Sequence, residues 1–188
     1  MNPYSKKETV VIGLGNPLMG DEGIGVHIIR ALGEVSAVDE TVDIVELGTS
    51  PMAVIHTIAR YDKAIIVDCA RMMQTPGTVC RFTPAEAVSV KSLPGLSLHE
   101  CELLRTLKIS AQLGEHPAEV IIFGIEPETV GPGEVLSIRL EQQLNEYVQL
   151  IRDEIGARDI SLHNQGGSYV HGTTVSGDWN RIGKPCRS

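Results

Sequence analysis

The chain has 188 residues, of which 42% are hydrophobic, and its formal net charge is −8 at pH 7. This length and hydrophobic content suffice for one buried core, and the length favours a single domain. The negative charge repels phosphate backbones, so a nucleic acid is not expected as a partner.

The first half of the chain alternates short apolar runs with segments of helical periodicity. β-Branched runs that end at glycine or at a polar residue are typical of buried strands, and apolar residues three and four apart predict helices. The predicted elements are a strand at 9–13, a glycine-rich loop at 15–20, a helix with Ile24, Ile28, Ala31 and Leu32, a strand at 42–47, a helix from Pro51 to about Arg60, and a fully apolar, central strand at 64–68.

The second half continues the alternation. The predicted elements are a strand at 77–82, a loop at 89–95, a helix that starts at the capping box 97–100, buries Leu103, Leu104, Leu107 and Ala111 and ends at Gly114, a strand at 119–124, and a long helix with Leu140, Leu144, Tyr147, Val148, Ile151 and Ile155. Strands that alternate with helices favour an α/β fold, a three-layer αβα sandwich around a twisted, mostly parallel sheet of the phosphorylase/hydrolase-like kind.

The composition divides the chain into a domain at 1–155 and a polar tail at 156–188, which is expected to be mobile. The start of the chain lacks an apolar signal core, and no apolar run is long enough to span a membrane. Four cysteines without a C-x-x-C pair are typical of a reducing compartment. We therefore expect a cytoplasmic protein that does not bind membranes. As a separate expectation, we take the chain to be a monomer.

Three possible metal ligands fall near the predicted carboxyl edge of the sheet, where open parallel sheets bind ligands. Glu22 follows the first strand, Asp68 ends the third strand, and His99 lies in the first turn of the capped helix. The helix N-terminus disfavours a charged imidazole, and a neutral imidazole is the form that binds metals. Two carboxylates and one imidazole suit a divalent ion such as Zn, Ni or Fe and leave coordination positions open.

Each of these residues also has a structural interpretation. An Asp at a strand end and a Glu at a helix start often serve as caps, and a His in a first turn is usually solvated. Glu46, just before Gly48 and Thr49, could act as a general base or cap the helix that follows.

Other catalytic patterns are incomplete. The first loop has Leu18 where a dinucleotide-binding G-x-G-x-x-G pattern needs its third glycine. Neither a Walker A lysine nor a G-x-S-x-G elbow occurs. The remaining histidines are expected to be surface or packing residues; they are His27, His56, His116, His163 and His171.

The stretch VIGLGNPLMGDEGIGV at 11–26 resembles the opening of the hydrogenase maturation protease family. Further stretches resemble that family in the same order; they are IIVDCA at 65–70 with PGT at 76–78, SLHE at 97–100, and FGIEP at 123–127 with Leu136 and Ser137. Two departures are evident. The family often has Asp-Gly-Gly-Thr where this chain has Glu46-Leu-Gly-Thr49, and the tail has no counterpart.

The resemblance implies an endopeptidase that removes the C-terminal extension of a [NiFe]-hydrogenase large-subunit precursor after nickel insertion. It implies Glu22, Asp68 and His99 as ligands of nickel carried by the precursor, a position that Zn or Cd could also occupy. It implies a peptidase of the aspartyl or metal-dependent type, with Asp68 and Glu46 as catalytic carboxylates and Gly48 and Thr49 as substrate-binding residues.

Three alternatives stay open. Peptidyl-tRNA hydrolase shares the strand followed by Gly-Leu-Gly-Asn-Pro at 13–17, but the acidic pair and the acidic charge disfavour tRNA. A chaperone that senses nickel without cutting the precursor would use the same three ligands. A peptidase similar to spore proteases is the third alternative.

Overall fold

The computed structural model describes residues 8–35, 40–86, 98–114 and 116–157, and for residues 98–101 it describes the backbone alone. The strands are β1 (Thr9–Leu14), β2 (Val42–Gly48), β3 (Lys63–Cys69), β4 (Val79–Phe82) and β5 (Glu119–Ile125). The helices named below are α1 (Ile24–Glu34), α2 (Pro51–Ile58), α3 (Leu98–Leu113) and α4 (Ile138–Gly156), and a 3-10 turn, Asp21–Gly23, precedes α1.

The strands form one 5-stranded sheet in the order β2-β1-β3-β5-β4. β1 pairs in parallel with β2 and β3, and β3 pairs in parallel with β5. β4 is the exception, since it runs antiparallel to β5 at the edge of the sheet. The prediction of a mostly parallel sheet with 64–68 at its centre is therefore confirmed.

Each face of the sheet buries its own apolar core, which explains why the central strands are apolar throughout. Val11, Ile65 and Phe123 face α1 and α4, whereas Ile12 and Ile66 face α2 and α3. Helices therefore cover both faces, and the predicted three-layer αβα sandwich is confirmed.

Two details differ from the sequence-based expectations. Ala111 is exposed, and Ser110 is fully buried in its place, because the buried stripe of α3 turns by one residue towards its C-terminal end. Cys80 is disulfide-bonded, a state that the cysteine pattern, typical of a reducing compartment, did not predict.

The predicted loop at 89–95, the capping residue Ser97 and the tail from residue 158 onward lie outside the described residues. α4 extends to Gly156, the point at which the composition changes. Across the described ranges, the structure contains no helix that is both long and apolar enough to cross a membrane.

A buried carboxylate near the end of α4 binds two cations from the sheet. Glu154 is only 4% exposed. Its carboxylate accepts hydrogen bonds from Arg81 Nε at 2.7 Å and from Lys63 Nζ at 3.0 Å. Burial alone would raise the pKa of Glu154, but the bonds from Arg81 and Lys63 outweigh burial and lower it. The network fastens α4 to β3 and β4.

We predict that Glu154→Gln lowers the free energy of unfolding by about 2–4 kcal/mol at pH 7, because Lys63 and Arg81 lose their shared anion. Urea denaturation measures the change. Asp153→Asn is the matched control on the same helix, since Asp153 is exposed, and it should change stability by less than about 0.5 kcal/mol. An equal loss in both variants would contradict the assignment.

The difference in stability between wild type and Glu154→Gln should depend on pH. The pKa of Glu154 is lower in the folded chain than its ordinary value of 4.5. Its contribution to stability is therefore complete above that ordinary value and is lost as pH falls through the folded pKa. The stability difference between wild type and Glu154→Gln should be full at pH 7 and should narrow below about pH 4.5. A constant difference down to pH 3 would count against the network.

Candidate functional site

Two glycines allow the start of α1 to lie directly on the carboxyl ends of β1 and β3. A Cβ on Gly25 would collide with the carbonyl oxygens of Val67 and Leu14. Gly15 has φ 113°, and a Cβ there would collide with the carbonyl oxygen of Glu22. The 3-10 turn that carries Glu22 is thereby placed at the sheet edge where Val67 is followed by Asp68.

The acidic pair divides into one structural and one available carboxylate. Asp21 is fully buried, and its side chain accepts hydrogen bonds from the backbone N–H groups of Glu128 and Thr129, both at 2.9 Å, and Ser137 at 2.7 Å. Asp21 therefore ties the loop after β1 to the loop after β5. Glu22 is only partly buried, so it is the member of the pair that can reach a ligand.

Asp68 lies one residue before the end of β3 and is partly buried. Strand alternation places its side chain on the face of Ala64 and Ile66, which is the face that α2 and α3 cover. The loop after Asp68 is held by Glu126, a buried residue that no pattern in the sequence singled out by itself. Its carboxylate accepts hydrogen bonds from Met72 N at 2.6 Å and Gln74 N at 3.1 Å.

The backbone confirms that His99 is the second residue of α3. α3 packs on the face of the sheet that carries Asp68. A short connection joins its last residue, Leu113, to the start of β5 at the amino edge. A 16-residue helix is about 24 Å long, so its first turn lies towards the carboxyl edge. His99 therefore shares both a sheet face and a sheet end with Asp68.

Glu46 lies on the opposite face of the sheet from Asp68. Its carboxylate receives two hydrogen bonds from Arg30 on α1, at 2.7 and 2.8 Å. The bond from Arg30 is the main cause that lowers the pKa of Glu46, which makes this carboxylate a weaker base. Ser50 caps α2 by accepting a hydrogen bond from Ala53 N, so the alternative that Glu46 caps this helix is wrong.

Gly48 and Thr49 lie at the carboxyl end of β2, as predicted. The carbonyl oxygen of Gly48 accepts a hydrogen bond from Gly15 N at 2.9 Å, and Thr49 is exposed. Their contact with the first loop brings them to the sheet edge that also carries Glu22. Their role in binding substrate stays a prediction.

The histidines expected to be surface or packing residues fit that expectation where the structure describes them. His56 and His116 are exposed, and His27 is partly buried on α1. Burial lowers the pKa of His27, and the nearby charge of Arg30 lowers it further. His163 and His171 lie outside the described residues.

The side chains that the structure describes do not by themselves form a group of three His, Cys, Asp or Glu arranged to hold a metal ion. The imidazole of His99 lies outside that set. Glu22 and Asp68 lie close to the carboxyl ends of the neighbouring strands β1 and β3, and the backbone of His99 lies towards the same end of the sheet. Two carboxylates and one imidazole are residue types that fit a borderline divalent ion.

Comparison with known proteins gives a consistent result. A sequence model of a family described as hydrogenase maturation protease matches residues 26–155. The hydrogenase 2 maturation protease of Escherichia coli K12 is 31% identical over 124 residues, which cover 65% of this chain and 75% of that protein. The hydrogenase expression/formation protein HupD of Thiocapsa roseopersicina is 28% identical over 123 residues.

That second match covers 65% of this chain but only 56% of HupD, so the chain spans little more than half the length of this relative. Among solved structures, the hydrogenase maturating endopeptidase HybD from Escherichia coli is similar with a TM-score of 0.72 and 27% identity. That similarity covers 79% of this chain and 92% of HybD. This chain thus shares its fold with nearly the whole of the HybD structure.

The two acidic neighbours should respond differently to neutralisation. Asp21→Asn replaces one acceptor oxygen by a donor that faces backbone N–H groups, so it should lower the free energy of unfolding by about 1–3 kcal/mol. Glu22→Gln should change it by less than about 0.5 kcal/mol, because Glu22 is partly exposed. Thermal or urea denaturation compares the two. Equal stability of both variants would show that Asp21 does not hold the loop after β5.

Proposed function

The chain belongs to the hydrogenase maturation protease family, and from that premise we propose that it is an endopeptidase that removes the C-terminal extension of a [NiFe]-hydrogenase large-subunit precursor. The nickel carried by the precursor is the feature that it recognises. Glu22, Asp68 and His99 bind that nickel, so the metal enters the site as part of the substrate.

One observation carries the proposal. The first turn of α1 lies on the ends of β1 and β3, so that Glu22 and Asp68 occupy neighbouring positions at one sheet edge. α3 begins at the same end with His99 as its second residue. These three residues are far apart in the sequence, and their positions towards one end of the sheet support the proposed donor set.

Binding to the nickel orients the precursor, since the metal position fixes where the adjoining chain segment lies relative to the carboxylates. Asp68 accepts a proton from a water molecule whose oxygen attacks the scissile carbonyl carbon. The carbon–nitrogen bond then breaks, and the proton passes from Asp68 to the departing amine. Gly48 and Thr49, at the end of β2, bind the peptide beside this centre.

Of the two proposed catalytic carboxylates, Asp68 is the better supported candidate. Glu46 is paired with Arg30, its pKa is lowered by that pair, and it lies on the other face of the sheet. The catalytic role of Glu46 therefore stays a prediction. Its ion pair with Arg30 supports a structural role instead, in which Glu46 links β2 to α1 at the surface.

We predict that Asp68→Asn and His99→Ala fold normally but abolish processing of nickel-loaded precursor, with rates at least about a hundredfold lower. Asp68→Asn loses the proton acceptor, and His99→Ala loses a ligand of the nickel. Mass spectrometry of the large subunit after incubation measures the fixed mass loss that cleavage produces. Processing by either variant at the wild-type rate would refute its assigned role.

Glu46→Gln is the matched control at another strand of the same sheet. Because its partner Arg30 and its own side chain are both exposed, it should alter stability by less than about 1 kcal/mol and the cleavage rate by less than about tenfold. A loss as large as that of Asp68→Asn would show that cleavage requires Glu46 as well, and that Asp68 is not the sole catalytic carboxylate.

The same assay separates the alternative functions. A nickel-sensing chaperone would bind the precursor without any mass loss. The family assignment opposes the peptidyl-tRNA hydrolase and spore-protease alternatives. The expectations of a cytoplasmic, monomeric enzyme stay predictions.

A further inference from the structure

A strained residue follows the proposed catalytic aspartate. Met73 has a φ of 58°, and no other non-glycine residue that the structure describes has a positive φ. A side chain with a Cβ is disfavoured in this left-handed region, where glycine is the usual residue. The side chain of Met73 is also 70% exposed, so the strain is not compensated by burial. The conformation of Met73 therefore costs the folded protein free energy that burial of the side chain does not recover.

The strain is imposed by a buried carboxylate. The N–H groups on both sides of Met73, those of Met72 and Gln74, point to the same oxygen of Glu126. Glu126 is 8% exposed, and its backbone also bonds to Gly77 and Thr78 at the far end of the loop. The tip of this loop is thus fixed from β5, with the Met73 side chain directed away from the core.

Met73 lies at the sheet edge of the proposed site. It is five residues beyond Asp68, and the connecting Ala70 remains bonded through its N–H to the carbonyl oxygen of Ile125. Met72, its neighbour, is buried against Cys80. An adaptable, unbranched apolar side chain is suited to contact a protein surface of irregular shape. Local backbone strain that the surrounding hydrogen bonds maintain is typical of functional sites.

We infer that Met73 is a specificity residue that contacts an apolar part of the large-subunit precursor beside the bound nickel, with Glu126 as the residue that positions it. This inference rests on the proposed function. The contact is made away from the reacting atoms, so it contributes to binding of the precursor and leaves the chemical step unchanged.

Met73→Gly tests the inference because it separates stability from recognition. Glycine adopts φ 58° without strain, and both N–H groups that bind Glu126 remain. The variant should therefore unfold about 2 °C higher than wild type. It should nevertheless process the nickel-loaded precursor with KM raised about tenfold and kcat unchanged, since an apolar contact is lost from the complex.

Two further variants define the result. Met73→Leu keeps the apolar contact, so its KM should stay within about twofold of wild type. Leu113→Gly is the matched control, since Leu113 is 67% exposed but ends α3 at the opposite edge of the sheet. Its KM should equal that of wild type.

If Met73→Gly has the same KM as wild type, the inference is overturned. The proposed function is still upheld in that case, provided that the wild-type chain cleaves the precursor. A lower unfolding temperature together with a raised KM would also overturn it, because Met73 would then be a structural residue. An equal rise in KM for Leu113→Gly would overturn the assignment to Met73. A wild-type chain that does not cut the precursor would overturn the proposed function and this inference together.

Discussion

The close contact between the first turn of α1 and the ends of β1 and β3 determines where the polar side chains of the site lie. It depends on the absence of a Cβ at Gly25 and Gly15, where backbone carbonyl groups occupy the space that a side chain would need. Any larger residue there would push α1 away from the sheet and carry Glu22 away from Asp68. The glycines at the start of the chain are therefore required for packing at the site. They do not form a dinucleotide-binding loop, because the G-x-G-x-x-G pattern is incomplete.

Two buried carboxylates hold the loops around that contact, and a third joins a helix to the sheet at the opposite end. Asp21 binds three backbone N–H groups of the segment after β5, and Glu126 binds two of the loop after β3. Glu154 neutralises two cations at the opposite end of the sheet. Among the acidic residues that the structure describes, these three are thus structural, whereas Glu22 and Asp68 are partly exposed near the carboxyl edge.

The fold was accessible from the sequence because its information is local. Apolar runs at 9–13, 64–68 and 119–124 predict the three central strands, and helical spacing predicts α1 and α4. What the sequence could not show depends on partners distant along the chain. Glu46 binds Arg30 across sixteen residues, and Glu154 binds Lys63 across ninety-one. The same limit applies to Met73, whose conformation is imposed by Glu126, and to Ser110, which replaces Ala111 in the core because of the way α3 lies on the sheet.

The central claim is that Glu22, Asp68 and His99 meet around one transition-metal ion. Crystals of the chain grown with Zn²⁺ as a surrogate for nickel test it most directly, by anomalous diffraction at the zinc absorption edge. The account predicts one strong peak about 2.0–2.2 Å from a carboxylate oxygen of Glu22, a carboxylate oxygen of Asp68 and a ring nitrogen of His99. A peak bound by other residues, with these three side chains directed to different parts of the surface, would contradict it.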